Sequence, residues 1–408
     1  MIINPDQSFG FFNSIRSGLI YYFLSTAIVA IGLVVGSGLS NPFASRGHSF
    51  NQTSECYANW DGQWYVSIAT QGDYRYKFGK ASSVAFFPAY PVIGAAFARS
   101  LRIRSDLALL IVANLSLAAS FILAAHYFAI TRPDSSRRLS GYSLLAMGLF
   151  PPTFFFRMAY SEGLFLLILF AVLLLLHDGK RLLFAAALIG LATATRALGI
   201  ALIPALIIVA YKNRRTDLSF ARSLAILLPL SCWGLFAYMA YLQIRFHNPL
   251  AFADAQESFR IRPSTSLPHR LFSLVTFEPI REIHDANGDY NWSKITGVDN
   301  PLLTIRSSDS IYFVIASCLT IMGAFKRWLT HVETITSAFL LLIPYATIGY
   351  EQYMQSMARY SAAASPIYIV MGMILVKLPP PIAGAIAGIC GMLLGVYAAL
   401  FSAWYVFI

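Results

Sequence analysis

The sequence predicts an all-α polytopic membrane protein, and three observations carry that prediction. Of 408 residues, 57% are hydrophobic and only 12% charged, with a mean hydropathy of +0.61, far from the usual composition of soluble domains. Apolar stretches approaching the roughly 20 residues that a crossing helix needs recur to the end of the chain. Lys and Arg gather in the short gaps between those stretches, so the net charge of +11 records membrane topology rather than a nucleic-acid partner.

The apolar segments fall at 17–38, 106–130, 139–156, 160–177, 181–194, 196–211, 220–244, 309–326, 332–349, 356–377 and 380–403. They describe a single domain over residues 1–408, a bundle of about eleven crossings. The first lacks a short apolar core with a small-residue cleavage end and reads as a retained helix, not a signal peptide. Arg16, Arg132 with Arg137 and Arg138, Lys180 with Arg181, Lys212 with Arg214 and Arg215, Lys326 with Arg327, and Lys377 fall in alternate loops. They mark the cytoplasmic side, together with the N-terminus.

Residues 84–99 are excluded from the crossings. Counting them would invert every later loop, and Pro88 and Pro91 restrict the residues before them. They are expected to lie in the interface, with Arg99, Arg102 and Arg104 at the outer headgroups. The non-cytoplasmic side then receives two outer loops, 39–105 with interfacial helices and 245–308, along with the turns near 157–160, 195–200 and 350–356. The segments 181–194 and 196–211 are short and suggest a bent hairpin with Thr195, Arg196 and Ala197 at its tip.

The first outer loop holds Asp61 among Trp60, Trp64 and Tyr65, then Phe86-Phe87-Pro88 and Tyr90-Pro91. Trp64, Tyr65 and Ile68 share one face of a short interfacial helix whose N-terminus falls at Asp61. Asp61 is therefore either an N-cap or a catalytic carboxylate, and spacing does not choose between them. Charged groups at helix ends near the membrane are costly enough to suggest function, and Arg157, Glu162, Arg196, Glu351 and Arg359 all stand there. The bland alternative is headgroup snorkelling or mutual pairing. In the second outer loop Phe252, Gln256 and Phe259 share a helical face suited to closing a cleft. After Arg260 the loop is rich in charge and turn residues and reads as exposed surface or a lid. Sequons at Asn51 and Asn291 lie on the side where glycosylation occurs. The four cysteines imply no disulfide framework, and the histidines show no metal-ligand spacing.

The segment NWDGQWYVSIATQGD followed by AFFPAYP resembles the first outer loop of the PIG-V-like mannosyltransferases. FFFRMAYSEGLF at 154–165, ATATRALG at 192–199, HNPLAFADAQ at 247–256 and SMARYSAAASP at 356–366 follow in the order that family has them. The chain departs from the pattern at Met158-Ala159 and Ala363-Ala364. The resemblance implies a GT-C class integral membrane glycosyltransferase that moves a hexose, mannose in that family, from a polyprenyl-phosphate carrier to a lipid or glycan acceptor. It implies an acidic residue of the first outer loop as general base, here Asp61, acting on the periplasmic, extracellular or lumenal side.

Residue chemistry agrees with that expectation. Departure of a phosphate from a sugar needs a base for the acceptor hydroxyl and positive charge for the leaving group. Asp61 suits the first, and Arg196 and Arg359 suit the second by charge-assisted hydrogen bonds. Ser161 and Glu162, with Trp60 and Trp64, are expected to position the sugar or orient an arginine. Attack opposite the phosphate would invert the anomeric centre. No cofactor is required, though a divalent cation shared by Asp61 and Glu162 stays open. Expected partners are the lipid-linked donor, a lipid or glycan acceptor and membrane lipids. A lipid-linked sugar flippase or transporter is the alternative, weakened by the absence of any internal repeat in the sequence.

Overall fold

The computed structural model describes residues 11–39, 56–133, 137–214 and 216–405, in which helices and short turns account for the chain and no strand occurs among the described residues. Among the described residues four helices are long and apolar enough to cross a bilayer alone: Phe11–Ser37, Ser105–Thr131, His331–Gly349 and Pro380–Ser402. Three bent pairs give up to seven spans: Arg138–Leu149 with Pro151–Arg157, Asp217–Ser231 with Trp233–Phe246, and Met357–Ala363 with Ile367–Lys377. The protein is thus an all-helical, multi-pass membrane protein.

The expected segments all hold helix, but several are interrupted or short. The stretch 139–156 bends by 75° where Pro151 and Pro152 follow Phe150, and 356–377 bends by 79° ahead of Pro366 and Ile367. Proline supplies the reason, since it has no N–H to continue an α-helical ladder. Leu182–Thr195 has 14 residues, a rise of about 21 Å against a hydrocarbon core of about 30 Å. Its partner in the expected hairpin begins with a 3-10 turn, Ala197–Leu202, and Arg196 between them is fully extended at φ −156°.

The bundle closes by bringing its two ends together. Phe11–Ser37 runs against Pro380–Ser402 so closely that a Cβ on Gly36 would fall 2.0 Å from the Ala399 carbonyl oxygen. Small residues at such a contact let two backbones touch where no hydrophobic driving force separates helix from lipid. At the opposite end Arg132 forks onto Glu333, with Nη1 to Oε1 at 2.9 Å and Nη2 to Oε2 at 2.7 Å. Glu333 also accepts from Tyr127 at 2.8 Å and completes the capping box of Thr330 at 2.7 Å.

Both polar loops hold short helices. Residues 84–99 hold a turn at Ser83–Ala85 and the helix Ala89–Leu101, whose 13 residues rise only about 20 Å and fall short of a crossing. Residues 245–308 are not a bare exposed lid: they fold into Ala251–Glu257, Leu267–Thr276, Glu278–His284 and Trp292–Thr296. Arg262 fastens it, lying 3.6 Å over the Tyr350 ring and 4.4 Å from the Tyr353 ring while donating to Glu278 at 2.6 Å. Asn291 is a poor glycosylation acceptor here, because it is buried, donates to the Asp285 carbonyl at 3.0 Å and caps the next helix through Oδ1. Asn51 lies outside the described residues.

Candidate active site

The helix Asp61–Gln71 is placed by the turn that precedes it. Asn59 donates to the carbonyls of Phe401 and Ser402 at 2.9 and 3.3 Å, which anchors the turn to the end of the last helix. The Tyr160 hydroxyl donates to the Asn59 carbonyl at 3.0 Å and accepts from the Asp61 N–H at 3.1 Å. The helix ends at Gly72, whose φ of 69° is the left-handed conformation that glycine adopts at a helix C-terminus.

The N-cap reading of Asp61 is corrected. The cap position belongs to Trp60, no side chain caps the helix, and Asp61 is its first residue. Its Oδ2 instead accepts from Arg359 Nη1 at 2.7 Å. Arg359 Nε in turn lies 3.3 Å from Glu162 Oε1, and Arg196 Nη1 is ion-paired with the same carboxylate. The result is a chain of alternating charge, Asp61, Arg359, Glu162 and Arg196. Glu162 is 2% exposed at its side chain, so its charge is tolerable only because two guanidiniums meet it.

Each member arrives from a different break in the helical pattern. Glu162 opens the helix Glu162–Asp178 after the Tyr160 turn, and Arg196 is the extended residue between two helical pieces. Arg359 sits in the short helix Met357–Ala363, which follows a run with φ of 48° at Tyr353, 65° at Met354 and 61° at Ser356. Left-handed backbone at non-glycine residues is strained and persists only where surroundings impose it. Here the buried Asp309 carboxylate accepts from the backbone N–H groups of Ser356 at 3.2 Å and Ala358 at 2.9 Å.

A cavity of about 410 Å³ opens on this chain of charges, within the size range of ligand sites. Asp61, Tyr65, Arg196 and Arg359 line it with Gln352, Gln355, Ser356 and Tyr360. Leu198, Ile200, Ile343, Pro344 and Ile348 give it an aliphatic side. Phe252, Gln256 and Phe259 of the second loop form a further wall, with Phe252 held edge-on to Phe87 at 5.4 Å. Asp254 joins the two loops by accepting from Tyr76 at 3.0 Å and Asn248 at 2.6 Å.

Not every expected residue reaches the cavity. Trp60 packs at 5.6 Å on Trp404, and Trp64 stacks at 5.8 Å on Phe86. Neither is among the residues that line the cavity; their rings pack beside it. Ser161 is buried and hydrogen-bonded to the Tyr65 hydroxyl at 2.9 Å, and Glu162 acts on arginines from behind the wall. Arg157 lies apart, bonded to Ser25, Thr26 and the Thr153 carbonyl. Glu351 belongs to a second cluster with Arg260 and Arg270, both of which line the cavity. Arg260, Arg270, Tyr160 and Tyr360 escape sequence reasoning because no local spacing links them to Asp61. A cation shared by Asp61 and Glu162 does not fit, since Arg359 bridges these two carboxylates. No three metal-ligating side chains converge among the described residues.

No protein-family model matches the chain and no curated protein matches it. Among solved structures, the apo Archaeoglobus fulgidus oligosaccharyltransferase aligns at 14% identity and TM-score 0.45, over 93% of this chain and 56% of that one. ArnT from Cupriavidus metallidurans bound to undecaprenyl phosphate aligns at 16% identity and TM-score 0.45, over 90% of this chain and 64% of that one. The A. fulgidus oligosaccharyltransferase AglB, in complex with an inhibitory peptide and a dolichol-phosphate, aligns at 12% identity and TM-score 0.44, over 94% and 56%. The chain therefore spans little more than half the length of the oligosaccharyltransferases.

Proposed function

We propose that the protein is a GT-C class glycosyltransferase, PIG-V-like in its motifs, that moves a hexose, mannose by that resemblance, from a polyprenyl-phosphate carrier to a lipid or glycan acceptor. The observation that carries the proposal is that one cavity is lined by both charged and aliphatic groups. Asp61, Arg359 and Arg196 supply the first, and Leu198, Ile200, Ile343 and Ile348 the second. An amphiphile with a charged head and an isoprenoid tail matches that lining; a soluble sugar nucleotide would leave the aliphatic groups unused.

In this reading Asp61 is the general base. Arg359 occupies its Oδ2, and Oδ1 takes the proton from an acceptor hydroxyl as that oxygen attacks the anomeric carbon. The bond from the anomeric carbon to the phosphate oxygen breaks on the opposite face, the electron pair leaves with the phosphate, and the centre inverts. Arg196 and Arg359 stabilise the charge that develops there. Glu162 keeps both guanidiniums in place and makes no contact with the sugar. The reaction takes place on the non-cytoplasmic side, in a cleft formed by the outer loops 39–105 and 245–308.

The experiment is a transfer assay with purified protein and labelled sugar on polyprenyl phosphate. General-base catalysis contributes about 10² to 10⁴ in rate, so Asp61→Asn is expected to lose at least that lower factor while keeping its thermal unfolding midpoint. Near-normal transfer by Asp61→Asn would remove Asp61 from the mechanism. Movement of the lipid between leaflets without transfer would replace the enzyme by a flippase.

A further inference from the structure

The cavity has two basic walls, and their charge is balanced differently. On the first, Arg196 and Arg359 face two carboxylates, Glu162 and Asp61. On the second, Arg260 and Arg270 share the single buried carboxylate of Glu351, with Arg270 Nη2 at 2.7 Å from Oε1 and Arg260 Nε ion-paired to Oε2. Arg260 also meets Glu257 at 2.9 Å, but that acid is half exposed and the pair is screened by solvent.

The second wall is built rather than incidental. Glu351 is 1% exposed, and its own carbonyl accepts from the N–H groups of Ile261 and Arg262 at 3.1 and 3.2 Å. Arg270 is fixed by the carbonyls of Thr265 at 2.9 Å and Ala346 at 2.5 Å and by Ser264 at 2.6 Å. It is thus a stationary positive charge, while Arg260 is the more accessible of the two, 30% exposed against 14%. Gln352 and Gln355 line the cavity with them and add neutral hydrogen-bonding groups. A buried acid holding two guanidiniums at a cavity wall, with one positive charge in excess of that acid and only the solvent-screened Glu257 against it, is an arrangement suited to an anion.

We propose that Arg260 and Arg270 form a second anion subsite that takes a phosphate group additional to the one assigned to Arg196 and Arg359. The proposal rests on the lipid-phosphate reading for its ligand and not for its charge balance. The phosphate comes either from a carrier with two phosphates or from a phosphorylated acceptor. Glu351 is the positioning residue of this subsite.

The test uses the full chain purified in detergent, with affinity read from ligand-induced shifts in the unfolding midpoint. The probes are farnesyl phosphate, farnesyl pyrophosphate, and glycerol 3-phosphate added to protein already holding farnesyl phosphate. With a carrier source, the pyrophosphate binds about tenfold tighter than the monophosphate and Arg260→Gln removes the advantage. With an acceptor source, the two prenyl ligands bind alike and Arg260→Gln weakens glycerol 3-phosphate by about tenfold. Glu351 keeps Arg270 as its partner in Arg260→Gln, so that variant is expected to fold, and Arg260→Lys retains the charge and part of either effect.

Affinities for all three probes that stay within about twofold in Arg260→Gln overturn the proposal. So does an equal weakening of farnesyl phosphate, which would put Arg260 in the first phosphate site. Wild-type protein that binds neither prenyl probe defeats the lipid-phosphate reading instead. Titration of inorganic pyrophosphate against wild type and Arg260→Gln then decides the subsite by itself.

Discussion

Arg359 Nη1 donates to Asp61 Oδ2 at 2.7 Å, joining two residues 298 positions apart in the chain. The same guanidinium reaches Glu162 through Nε at 3.3 Å, so one planar group orients two carboxylates at once. Lysine cannot reproduce that geometry, because an ammonium is a point charge without a fork. Arg359→Lys is expected to lower transfer by about 100-fold or more with the fold retained, a factor within the range for a lost stabilising donor. Arg359→Ala adds a cost of about 3 kcal/mol by leaving Glu162 with Arg196 alone. Single-turnover transfer and thermal unfolding in detergent separate the two effects.

Asp309 supports Arg359 indirectly, by satisfying the N–H groups of Ser356 and Ala358 at the start of its helix. Asp309→Ala leaves the buried Ala358 N–H and the half-buried Ser356 N–H unmet and removes what holds the left-handed backbone at Ser356. The expected cost is about 1–3 kcal/mol per unmet group. Hydrogen exchange should rise over 353–363 and leave the helix Asp217–Ser231 unchanged.

Glu333 is the stability residue at the opposite end. It meets both Nη groups of Arg132, the Tyr127 hydroxyl and the Thr330 N–H, and its side chain is fully buried. Glu333→Ala strands the Arg132 charge, and the expected loss is about 3–5 kcal/mol. A fall in the unfolding midpoint, with unchanged affinity for farnesyl phosphate in the surviving folded protein, would assign Glu333 to the scaffold alone.

His284, at the end of Glu278–His284 in the loop 245–308, supplies a pH dependence. Burial holds its pKa below the ordinary 6.5, and its Nε2 lies 2.9 Å from the Ser310 hydroxyl. The unfolded loop therefore takes up a proton first as the pH falls. The stabilisation is complete above about 6.5 and is lost as pH drops through the folded value. Hydrogen-exchange protection factors over 278–296 should fall on acidification below pH 6.5, and His284→Gln should flatten that response.

Much of this arrangement was readable from sequence, and the limits are specific. Hydropathy marked the apolar segments, but the bends inside 139–156 and 356–377, at Pro151, Pro152 and Pro366, went unread. Asp61, Glu162, Arg196 and Arg359 stood out as charges at helix ends, where their desolvation cost makes them conspicuous. Arg157 stood out equally and belongs elsewhere, because a helix-end charge can be satisfied by any neighbour with an acceptor, here Ser25 and the Thr153 carbonyl. Arg260 and Arg270 were lost among the charges of a loop that looked merely exposed.

By itself, the sequence determined that this is a helical membrane protein with two polar loops and a small set of charges too costly to be casual. That follows from local physics, since transfer free energy and helical rise depend on a residue and its near neighbours. Tertiary structure alone decided that Asp61 pairs with Arg359 instead of capping its helix, and that Trp60 and Trp64 support the wall without lining it. It also decided that Arg260 and Arg270 share Glu351 on the same cavity. Such pairings bring together groups from distant parts of the chain, and the requirement to neutralise buried charge states only that a partner exists. Which partner it is depends on how the bent helices pack.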